Sequence, residues 1–297
     1  MDFTLTLVAS TTPLSAGHLA TIDSFTETQG LMITSEPKWL APHKAADIPL
    51  AECLNMAQMQ ELRSILANDK IDVFCTRTAN RRKKLLMADM DSTIVTSETL
   101  DELAAEGGLK DKISTITERA MRGELDFIEA LTERVALLKG LPTDALKRTL
   151  DATIISNGAA ELVRTMHQQG MACILVSGGF TYFTADIAGK LGFTAHHGNI
   201  LEIENEKLTG TVVRPILDKD AKLRLLKQYC KELDININDS LAIGDGANDL
   251  PMLATAGLGI GYRPKPLLEK NLLNCIHFTN LTSVLYAQGY KAEEFSL

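Results

Sequence analysis

Short apolar runs alternate with amphipathic segments through residues 85–297. The runs are KLLMADMD, ACILVSGG, SLAIGDGAND and GLGIGY, and turn residues lie at the end of each one. Nearly continuous apolar runs are typical of strands covered on both faces, as in a parallel sheet with helices on either side. The pattern therefore predicts an α/β fold with a doubly wound, Rossmann-like parallel sheet.

Residues 1–83 follow a different pattern, which predicts a small separate domain. FTLTLVAS alternates like a strand, a helical stretch begins after Ser15, and extended stretches follow around residues 31–50. A helix from Met56 to Ala67 then precedes the strand IDVFCTRTA. The order β-α-β-β-α-β is that of ferredoxin-like domains and resembles ACT-type regulatory domains. We therefore expect an ACT-like N-terminal domain, followed by a second domain over residues 84–297.

About 80 residues separate the first two apolar runs of the second domain, too many for a single crossover helix. Much of this segment has helical spacing, and TLDELAAEGG begins with a T-x-x-E capping box, Thr99 with Glu102. We expect a helical cap, inserted at about residues 98–157, to cover the carboxyl ends of the strands.

The charge of the chain limits its partners. The formal net charge is −8, with 45% apolar and 23% charged residues. An acidic protein is repelled by phosphate backbones, which disfavours nucleic acids and acidic membranes as partners. The basic run RRKK, Arg81 to Lys84, could bind nucleic acid, but we interpret it as a solvated linker before a buried strand.

The sequence also favours a cytoplasmic location. No apolar run reaches the ~18 residues of a membrane span, and the start, MDFTLTLVAS, lacks a basic leader. Scattered cysteines without CxxC spacing are typical of buried free thiols in a reducing compartment. The five cysteines are Cys53, Cys75, Cys173, Cys230 and Cys275.

Two aspartates, Asp89 and Asp91, end the first apolar run. Residues i and i+2 at a strand end point to the same side, so both carboxylates can address one reacting atom. Two adjacent carboxylates repel each other, which requires either a cation or a shared proton. A turn or capping role would explain Asp91 alone, but not D-x-D-S-T directly after an apolar strand.

Further candidates follow the other runs. The hydroxyl of Ser177 and the N–H groups of Gly178 and Gly179 could bind phosphate oxygens, with a helix dipole behind them. Lys222, near a helix start, could neutralise a phosphoryl group. Each signal is weak by itself, because strand-Ser-Gly-Gly turns and surface lysines are common.

The run SLAIGDGAND leads into a loop with Asp245, Asn248 and Asp249. Carboxylate oxygens that leave open positions for water suit Mg²⁺. A calcium-binding loop of the EF-hand type would need more oxygen ligands and a closing glutamate, and the sequence offers neither. We therefore expect a magnesium site at this strand end.

Together the four loops resemble the motif set of the haloacid dehalogenase (HAD) superfamily of phosphohydrolases. The match runs in order through residues 85–297 as D-M-D-S-T, S-G-G, Lys and G-D-G-A-N-D. The cap segments SETLDELAAEGG, AMRGELDF and ERVALLKGLP are similar to those of one family in it, the phosphoserine phosphatases. The resemblance implies hydrolysis of O-phospho-L-serine, the last step of serine biosynthesis, through an aspartyl-phosphate.

The resemblance also implies a role for each residue. Asp89 would be the nucleophile and Asp91 the general acid and base. Mg²⁺ would be held by Asp89, the main-chain carbonyl of Asp91 and Asp245, with Asp249 supporting the metal loop. The implied substrate-binding residues are Ser177, Gly178, Gly179, Lys222 and Asn248 at the phosphoryl group, and Glu98, Met121, Phe127 and Arg134 at the serine.

Two alternatives stay open at this point. The same chemistry could act on another small phosphomonoester such as phosphohomoserine, or transfer its phosphoryl group to an acceptor. The choice of phosphoserine depends on Glu98 and Arg134, because an amino-acid headgroup needs an anion and a bidentate cation. The chain could instead be an amino-acid-sensing regulatory protein. Since ACT-type units often pair their sheets, we expect a homodimer.

Overall fold

The structure is a computed structural model that describes residues 2–121, 124–218 and 220–296, without the side chain of Met121. Its N-terminal part has the predicted order β-α-β-β-α-β. These strands form an antiparallel sheet in the order β2-β3-β1-β4. The elements are β1 (Phe3–Ala9), α1 (Ala16–Gln29), β2 (Lys38–Ala41), β3 (Ala45–Leu50), α2 (Met56–Leu66) and β4 (Ile71–Arg77).

Local signals set the bounds of the first two helices. Ser15 is the N-cap of α1, as predicted, and forms a capping box with His18. The helix ends at Gly30, whose φ of 68° is the left-handed conformation of a C-terminal glycine. Asn55 begins α2 in the same way, by accepting the N–H of Gln58.

The rest of the chain surrounds a larger sheet, with seven strands in the described residues. Their order is β11-β10-β9-β5-β6-β7-β8. The pairs from β11 to β7 are parallel, as predicted, and apolar clusters cover both faces. The strands are β5 (Leu85–Asp89), β6 (Ala172–Phe180), β7 (Ala195–Glu204), β8 (Lys207–Val213), β9 (Ser240–Gly244), β10 (Leu258–Tyr262) and β11 (Asn274–Ile276).

The strands β7, β8 and β11 were not predicted. The edge strand β8 makes the sheet mixed because it runs antiparallel to β7. Asn205 and Glu206 join the two strands, and both have positive φ angles, 49° and 59°. Two left-handed residues in a row form the type I′ turn of tight hairpins. Exposed and buried positions are interspersed along β8, so it lacks the continuous apolar run by which β5, β6, β9 and β10 were found.

Helices flank and cover this sheet. The segment predicted to form the cap holds α3 to α6, between β5 and β6. The helices are α3 (Thr99–Glu106), α4 (Lys110–Met121), α5 (Phe127–Leu137), α6 (Asp144–Ala152), α7 (Ala159–Gln168), α8 (Thr181–Leu191), α9 (Ala221–Glu232), α10 (Leu250–Thr255), α11 (Pro266–Asn271) and α12 (Ser283–Ala287). None of the described helices is both long and apolar enough to span a membrane.

The segment α3 to α6 is attached through a narrow stem. Val95 and Ile155 form an isolated antiparallel bridge, and the N–H of Thr96 donates to the carbonyl of Ile154 at 2.9 Å. The chain therefore enters and leaves this segment at neighbouring points beside the carboxyl end of β5.

The interpretation of RRKK as a solvated linker is wrong for Arg81 and Lys83, while Arg82 and Lys84 are exposed. Arg81 forms an ion pair of 2.5 Å with Asp47 of β3. Arg82 stacks on Tyr290, 4.0 Å from the ring centre, and Lys83 is only 7% exposed. Arg81 and Lys83 lie between two packed units, where they donate to carbonyl and carboxylate oxygens that have little access to water. The linker therefore fixes the N-terminal sheet to the C-terminal part of the chain.

Candidate active site

The carboxyl ends of β5, β6, β9 and β10 surround a cavity of about 420 Å³, which α3, α4 and α5 cover from the other side. Ligands in open α/β sheets bind at this edge. The structure brings most of the predicted residues to this cavity. Its walls include Asp89, Asp91, Glu98, Phe127, Arg134, Gly178, Gly179, Asp245 and Asn248.

Asp89 ends β5 and is 4% exposed. One carboxylate oxygen, Oδ1, lies 2.6 Å from the Lys222 ammonium and accepts the N–H of Met90 at 2.8 Å. Burial raises the pKa of Asp89 well above its usual range, and the Asp249 carboxylate raises it further, while Lys222 opposes this. The side chain is a buried carboxylate whose charge depends on a neighbouring cation.

Asp91 lies beyond β5 in a tight turn over residues 90–94, where Ser92 takes a left-handed φ of 54°. Its Oδ1 accepts the N–H and the hydroxyl of Thr99 at 2.8 and 2.7 Å, and Oδ2 accepts the Ser177 hydroxyl at 2.7 Å. Burial, and then Glu98, raise the pKa of Asp91, while these hydrogen bonds lower it. The structure thus gives the two aspartates different partners.

Thr99 does not have the capping role predicted for it. The N-cap of α3 is Glu98, and its side chain makes no capping hydrogen bond. The Thr99 hydroxyl donates to Asp91 instead, because α3 begins directly above the turn that carries this carboxylate. The T-x-x-E pattern marked the helix start correctly to within one residue, but a local motif could not show this contact.

Asp249 organises the loop after β9. It is 0% exposed, and its Oδ2 accepts the N–H groups of Asp245 and Gly246 at 3.1 and 3.0 Å. Its Oδ1 lies 2.5 Å from the Lys222 ammonium. Gly244 is required here, because a Cβ atom at this position would lie 2.5 Å from the Asp249 carboxylate.

Carboxylate oxygens of Asp89, Asp245 and Asp249 lie within 4.8 Å of one another. Hard oxygen donors at this spacing fit a divalent cation such as Mg²⁺ or Ca²⁺. Burial raises the pKa of Asp245, as expected for carboxylates gathered without a cation, and Lys265 lowers it. The carboxylate of Asp91 faces Thr99 and Ser177 instead, so the predicted ligand role of its main-chain carbonyl stays a prediction.

Charge around the site also favours a cation. Among the described residues that line the main cavity, taken together with Lys222 and Asp249 behind it, carboxylates outnumber basic side chains by five to three. Like charges at such short range repel strongly unless a cation or protons compensate them. The carboxylates are Asp89, Asp91, Glu98, Asp245 and Asp249, and the basic residues are Arg134, Lys222 and Lys265.

Ser177 and Lys222 lie behind the main cavity, where a smaller one adjoins it. The Ser177 hydroxyl accepts the N–H of Gly179 at 2.8 Å. The carbonyl of Gly178 accepts from the Asn199 side chain at 2.8 Å, which holds the turn in place. Asn199 was not predicted, since it belongs to β7 and only the sheet order brings it beside this turn.

The segment α3 to α6 and its N-cap supply the other predicted side chains. Glu98 accepts the Ser92 hydroxyl at 2.8 Å, and the Nε–H group of Arg134 donates to the carbonyl of Ala130 at 3.2 Å. Burial lowers the pKa of Arg134, while Asp101 and Glu98 raise it. Both charged groups line the cavity, together with Phe127.

Met121 lies outside the residues whose side chains are described, so its predicted role is untested. Thr117 and Ala120, on the same helix, line the cavity and were not predicted. Their helical spacing alone gave no reason to separate them from other residues of α4.

Lys265 is a functional candidate that the sequence analysis missed. It follows β10 and places its ammonium 2.9 Å from Asp245 and 3.8 Å from Glu98. The run GLGIGY carried the same signal as the other strands, an apolar run followed by polar residues. The residues that follow this fourth run are RPKP, and they include Lys265. The expectation that polar residues after the strands form the site therefore applies to them as well.

Comparison with known families agrees with this geometry. The model of the haloacid dehalogenase-like hydrolase family matches residues 86–254. The chain belongs to the haloacid dehalogenase-like hydrolases. The matched residues begin in β5 and end in α10, so they include the acidic residues at both strand ends.

Relatives of this hydrolase include curated phosphoserine phosphatases. The protein from Archaeoglobus fulgidus is 47% identical over 216 residues, 73% of this chain and 63% of that protein, so the chain spans less than two thirds of its length. The protein from Lactococcus lactis is 43% identical, over 68% of this chain and 94% of its own.

The fold is similar to a crystal structure of a probable phosphoserine phosphatase from Vibrio cholerae. The TM-score is 0.79 at 30% identity, over 99% of this chain and 88% of that chain. This likeness extends over the N-terminal sheet as well as the hydrolase part of the chain.

Proposed function

We propose that the protein hydrolyses O-phospho-L-serine to L-serine and phosphate. The observation that carries the proposal is that Glu98 and Arg134 line the same cavity as Asp89 and Asp91. One anion and one guanidinium can bind the amino and carboxylate groups of an amino acid while its phosphate faces the aspartates. The names of the relatives support the same substrate.

In this proposal the phosphoryl group is bound at the sheet edge. Gly178, Gly179 and Asn248 line the cavity wall. The Gly179 N–H donates to Ser177 in this structure and would exchange that partner for a phosphoryl oxygen. The Ser177 hydroxyl and the Lys222 ammonium approach from below. These groups neutralise and orient the phosphoryl oxygens for in-line attack.

Asp89 is the proposed nucleophile. Its carboxylate attacks phosphorus, the bond to the serine oxygen breaks, and an aspartyl-phosphate forms. Asp91 gives a proton to the leaving serine oxygen, and then takes one from the water that hydrolyses the aspartyl-phosphate. Burial raises the pKa of Asp91, which favours the protonated form that the first step needs.

We propose Mg²⁺ as the cofactor, held by Asp89, Asp245 and the main-chain carbonyl of Asp91. When bound, it reduces the repulsion between an anionic nucleophile and a dianionic phosphate. Asp249 holds the loop through its two main-chain hydrogen bonds. Lys222 joins the two buried carboxylates, Asp89 and Asp249, at 2.6 and 2.5 Å.

The test is phosphate release from L-phosphoserine beside phosphohomoserine, sugar phosphates and nucleotides, with Mg²⁺ and with EDTA. We expect metal-dependent turnover that prefers phosphoserine. Asp89→Asn should abolish it, whereas Asp151→Asn, a matched change at an exposed carboxylate on α6, should not. Preference for another compound would support the proposed phosphatase mechanism but would reject the substrate-binding roles of Glu98 and Arg134. The absence of phosphate release from every compound tested would reject the proposal.

We further propose the domain limits 1–83 and 84–297, with the cap at about 98–157, and an ACT-like character for the first domain. Its antiparallel sheet and two helices support this. Calorimetry of the whole chain with free serine tests whether it also binds an amino acid.

A homodimer and a cytoplasmic location stay predictions. Sedimentation that shows only a monomer would exclude the dimer.

A further inference from the structure

The N-terminal unit, which precedes the linker, contains two cysteines whose sulfur atoms lie close together. Cys53 is in the segment between β3 and α2, and Cys75 is in β4. Their Sγ atoms are 3.0 Å apart. A disulfide bond is ~2.05 Å long, so the two atoms need to approach by only about 1 Å.

Regular structure holds this pair together. Cys75 faces Leu5 across the ladder between β4 and β1. Leu54, the neighbour of Cys53, is 2% exposed and belongs to the apolar core of the N-terminal unit. The two sulfur atoms are therefore kept close by packed elements on both sides and not by a chance encounter of mobile loops.

Only Cys53 of the five cysteines is more than slightly exposed, while Cys75 is buried behind it. The hydrogen bond from Cys75, and then the nearby Arg77 charge, lower the pKa of Cys53 against the effect of burial. Accessible thiolates are the ones that react with small disulfides and peroxides. The hydrogen bond to Cys53, and then burial, raise the pKa of Cys75, while the N–H of Leu54 lowers it. Once Cys53 is held in a mixed disulfide, its thiolate no longer opposes the ionisation of Cys75.

We propose that Cys53 and Cys75 are a reversible dithiol–disulfide site. With a small disulfide such as oxidised glutathione, the Cys53 thiolate attacks one sulfur, a mixed disulfide forms and one glutathione leaves as its thiol. The Cys75 thiolate then attacks the Cys53 sulfur and the second glutathione leaves. Overall two protein thiols lose two protons and two electrons, and one glutathione disulfide becomes two glutathione thiols.

The position of Cys75 connects this site to the rest of the molecule. Its N–H donates to the Asn274 side chain at 2.8 Å, and its carbonyl accepts from the same amide at 3.2 Å. Asn274 begins β11, the edge strand of the large sheet. The proposed disulfide would therefore tie the segment before α2 to the strand that contacts the hydrolase part.

To test the proposal, the whole protein is oxidised with glutathione disulfide at neutral pH. Its remaining thiols are then blocked by alkylation, and it is digested with trypsin without reduction. Trypsin separates the two cysteines into peptides 45–63 and 71–77. We expect these peptides to be joined, with the loss of two hydrogen atoms, and to separate in dithiothreitol. Cys173, Cys230 and Cys275 should be alkylated.

Variants identify the order of steps. Cys75→Ser should leave glutathione on Cys53 as a stable mixed disulfide, and Cys53→Ser should leave Cys75 unmodified. Cys230→Ser is the matched control and should form the same linked peptides as the wild type. Wild-type protein that carries glutathione on Cys53 without linked peptides, or that does not react, would overturn the proposal. This result does not depend on any variant folding.

Discussion

Asp89 and Asp91 are one residue apart, yet they have different neighbours. Asp89 lies against the Lys222 ammonium, which favours its charged form. Asp91 accepts hydroxyl and N–H donors and has no cation among its hydrogen-bond partners in the described residues. Two carboxyl groups whose surroundings differ in this way can divide the roles of nucleophile and acid. The side-chain partners, more than the D-x-D spacing, distinguish the proposed roles.

Arg134→Ala tests the substrate headgroup. A hydrogen bond to a charged group contributes about 1.5–3 kcal/mol, so KM for phosphoserine should rise by roughly 10- to 100-fold. Arg119→Ala is the control, because Arg119 lies on the neighbouring helix α4 and pairs with Glu133 at 2.7 Å. Hydrolysis of phosphoethanolamine, which has no carboxylate, should change little in either variant. An unchanged KM for phosphoserine in Arg134→Ala would exclude the assigned role.

Asp89→Asn is expected to stabilise the metal-free protein while it abolishes activity. A carboxyl group whose folded pKa lies above its unfolded value loses stabilisation as pH rises between the two values. The pKa of Asp89 is raised in this way, so its charge opposes folding at neutral pH. In EDTA at pH 7 the variant should melt a few degrees higher, since 1 kcal/mol corresponds to about 2–4 °C at comparable chain lengths.

Melting temperatures of the variant and the wild type, measured at several pH values, test this prediction. The gain in melting temperature should shrink as the pH falls, because wild-type Asp89 then takes up a proton and resembles asparagine. Asp151→Asn, with an exposed carboxylate, should show no such trend. A lower melting temperature for Asp89→Asn at pH 7 would mean that its pairing with Lys222 outweighs the cost of burying the charge.

At the scale of elements, α3 connects the cap to the chemistry. Its first residue, Thr99, donates both its N–H and its hydroxyl to Asp91. Cap movement through the stem at Val95 and Ile155 would therefore change the hydrogen bonds of the proposed acid. Because these hydrogen bonds lower the pKa of Asp91, the position of α3 affects the protonation of this carboxyl group.

Thr99→Val is expected to lower kcat by about tenfold. It removes a hydrogen bond to the charged Asp91 that takes the proton from water in the second step, at a cost of about 1.5 kcal/mol or more. Thr99→Ser keeps the hydroxyl and should retain most of the activity. Steady-state kinetics on phosphoserine gives kcat for both variants, and circular dichroism confirms that both are folded. Equal activity in the two variants would show that the N–H alone suffices.

The sequence predicted the elements whose signal is local. The apolar runs located β5, β6, β9 and β10, and the polar residues after them gave most of the cavity wall. The strands β7 and β8 were missed because neither has a continuous buried apolar run, and β11 because it has only three residues. Asn199 and the hydroxyl of Thr99 were missed as site residues, since their partners are distant in sequence or lie on another element.

At the scale of the molecule, the N-terminal sheet is joined to the hydrolase part by buried polar contacts. Arg63 donates to the carbonyl of Leu273 at 2.5 Å, and Ser10 donates to that of Phe278 at 2.9 Å. Arg81 binds Asp47 from the linker. Composition and periodicity could not predict this junction, because each contact joins residues that are far apart in the chain. The two parts should therefore unfold together.

Asp72 contributes a cluster of hydrogen bonds to this junction. It is 2% exposed, and its carboxylate accepts the N–H groups of His277, Phe278 and Thr279 together with the Thr279 hydroxyl. Asparagine keeps only one acceptor oxygen, so at least one buried N–H loses its partner, at a cost of about 1–3 kcal/mol or more. We expect Asp72→Asn to lower the free energy of unfolding by this amount, measured by urea denaturation.

The control for Asp72→Asn is Asp23→Asn, at an exposed position on α1 that should change stability very little. A second comparison concerns cooperativity. If the junction couples the two parts, wild-type protein should unfold in one transition, and Asp72→Asn should broaden it or divide it in two. The transition can be followed by Trp39 fluorescence for the N-terminal sheet and by loss of phosphatase activity for the rest. Superimposed curves with an unchanged midpoint in Asp72→Asn would show that other contacts carry the junction.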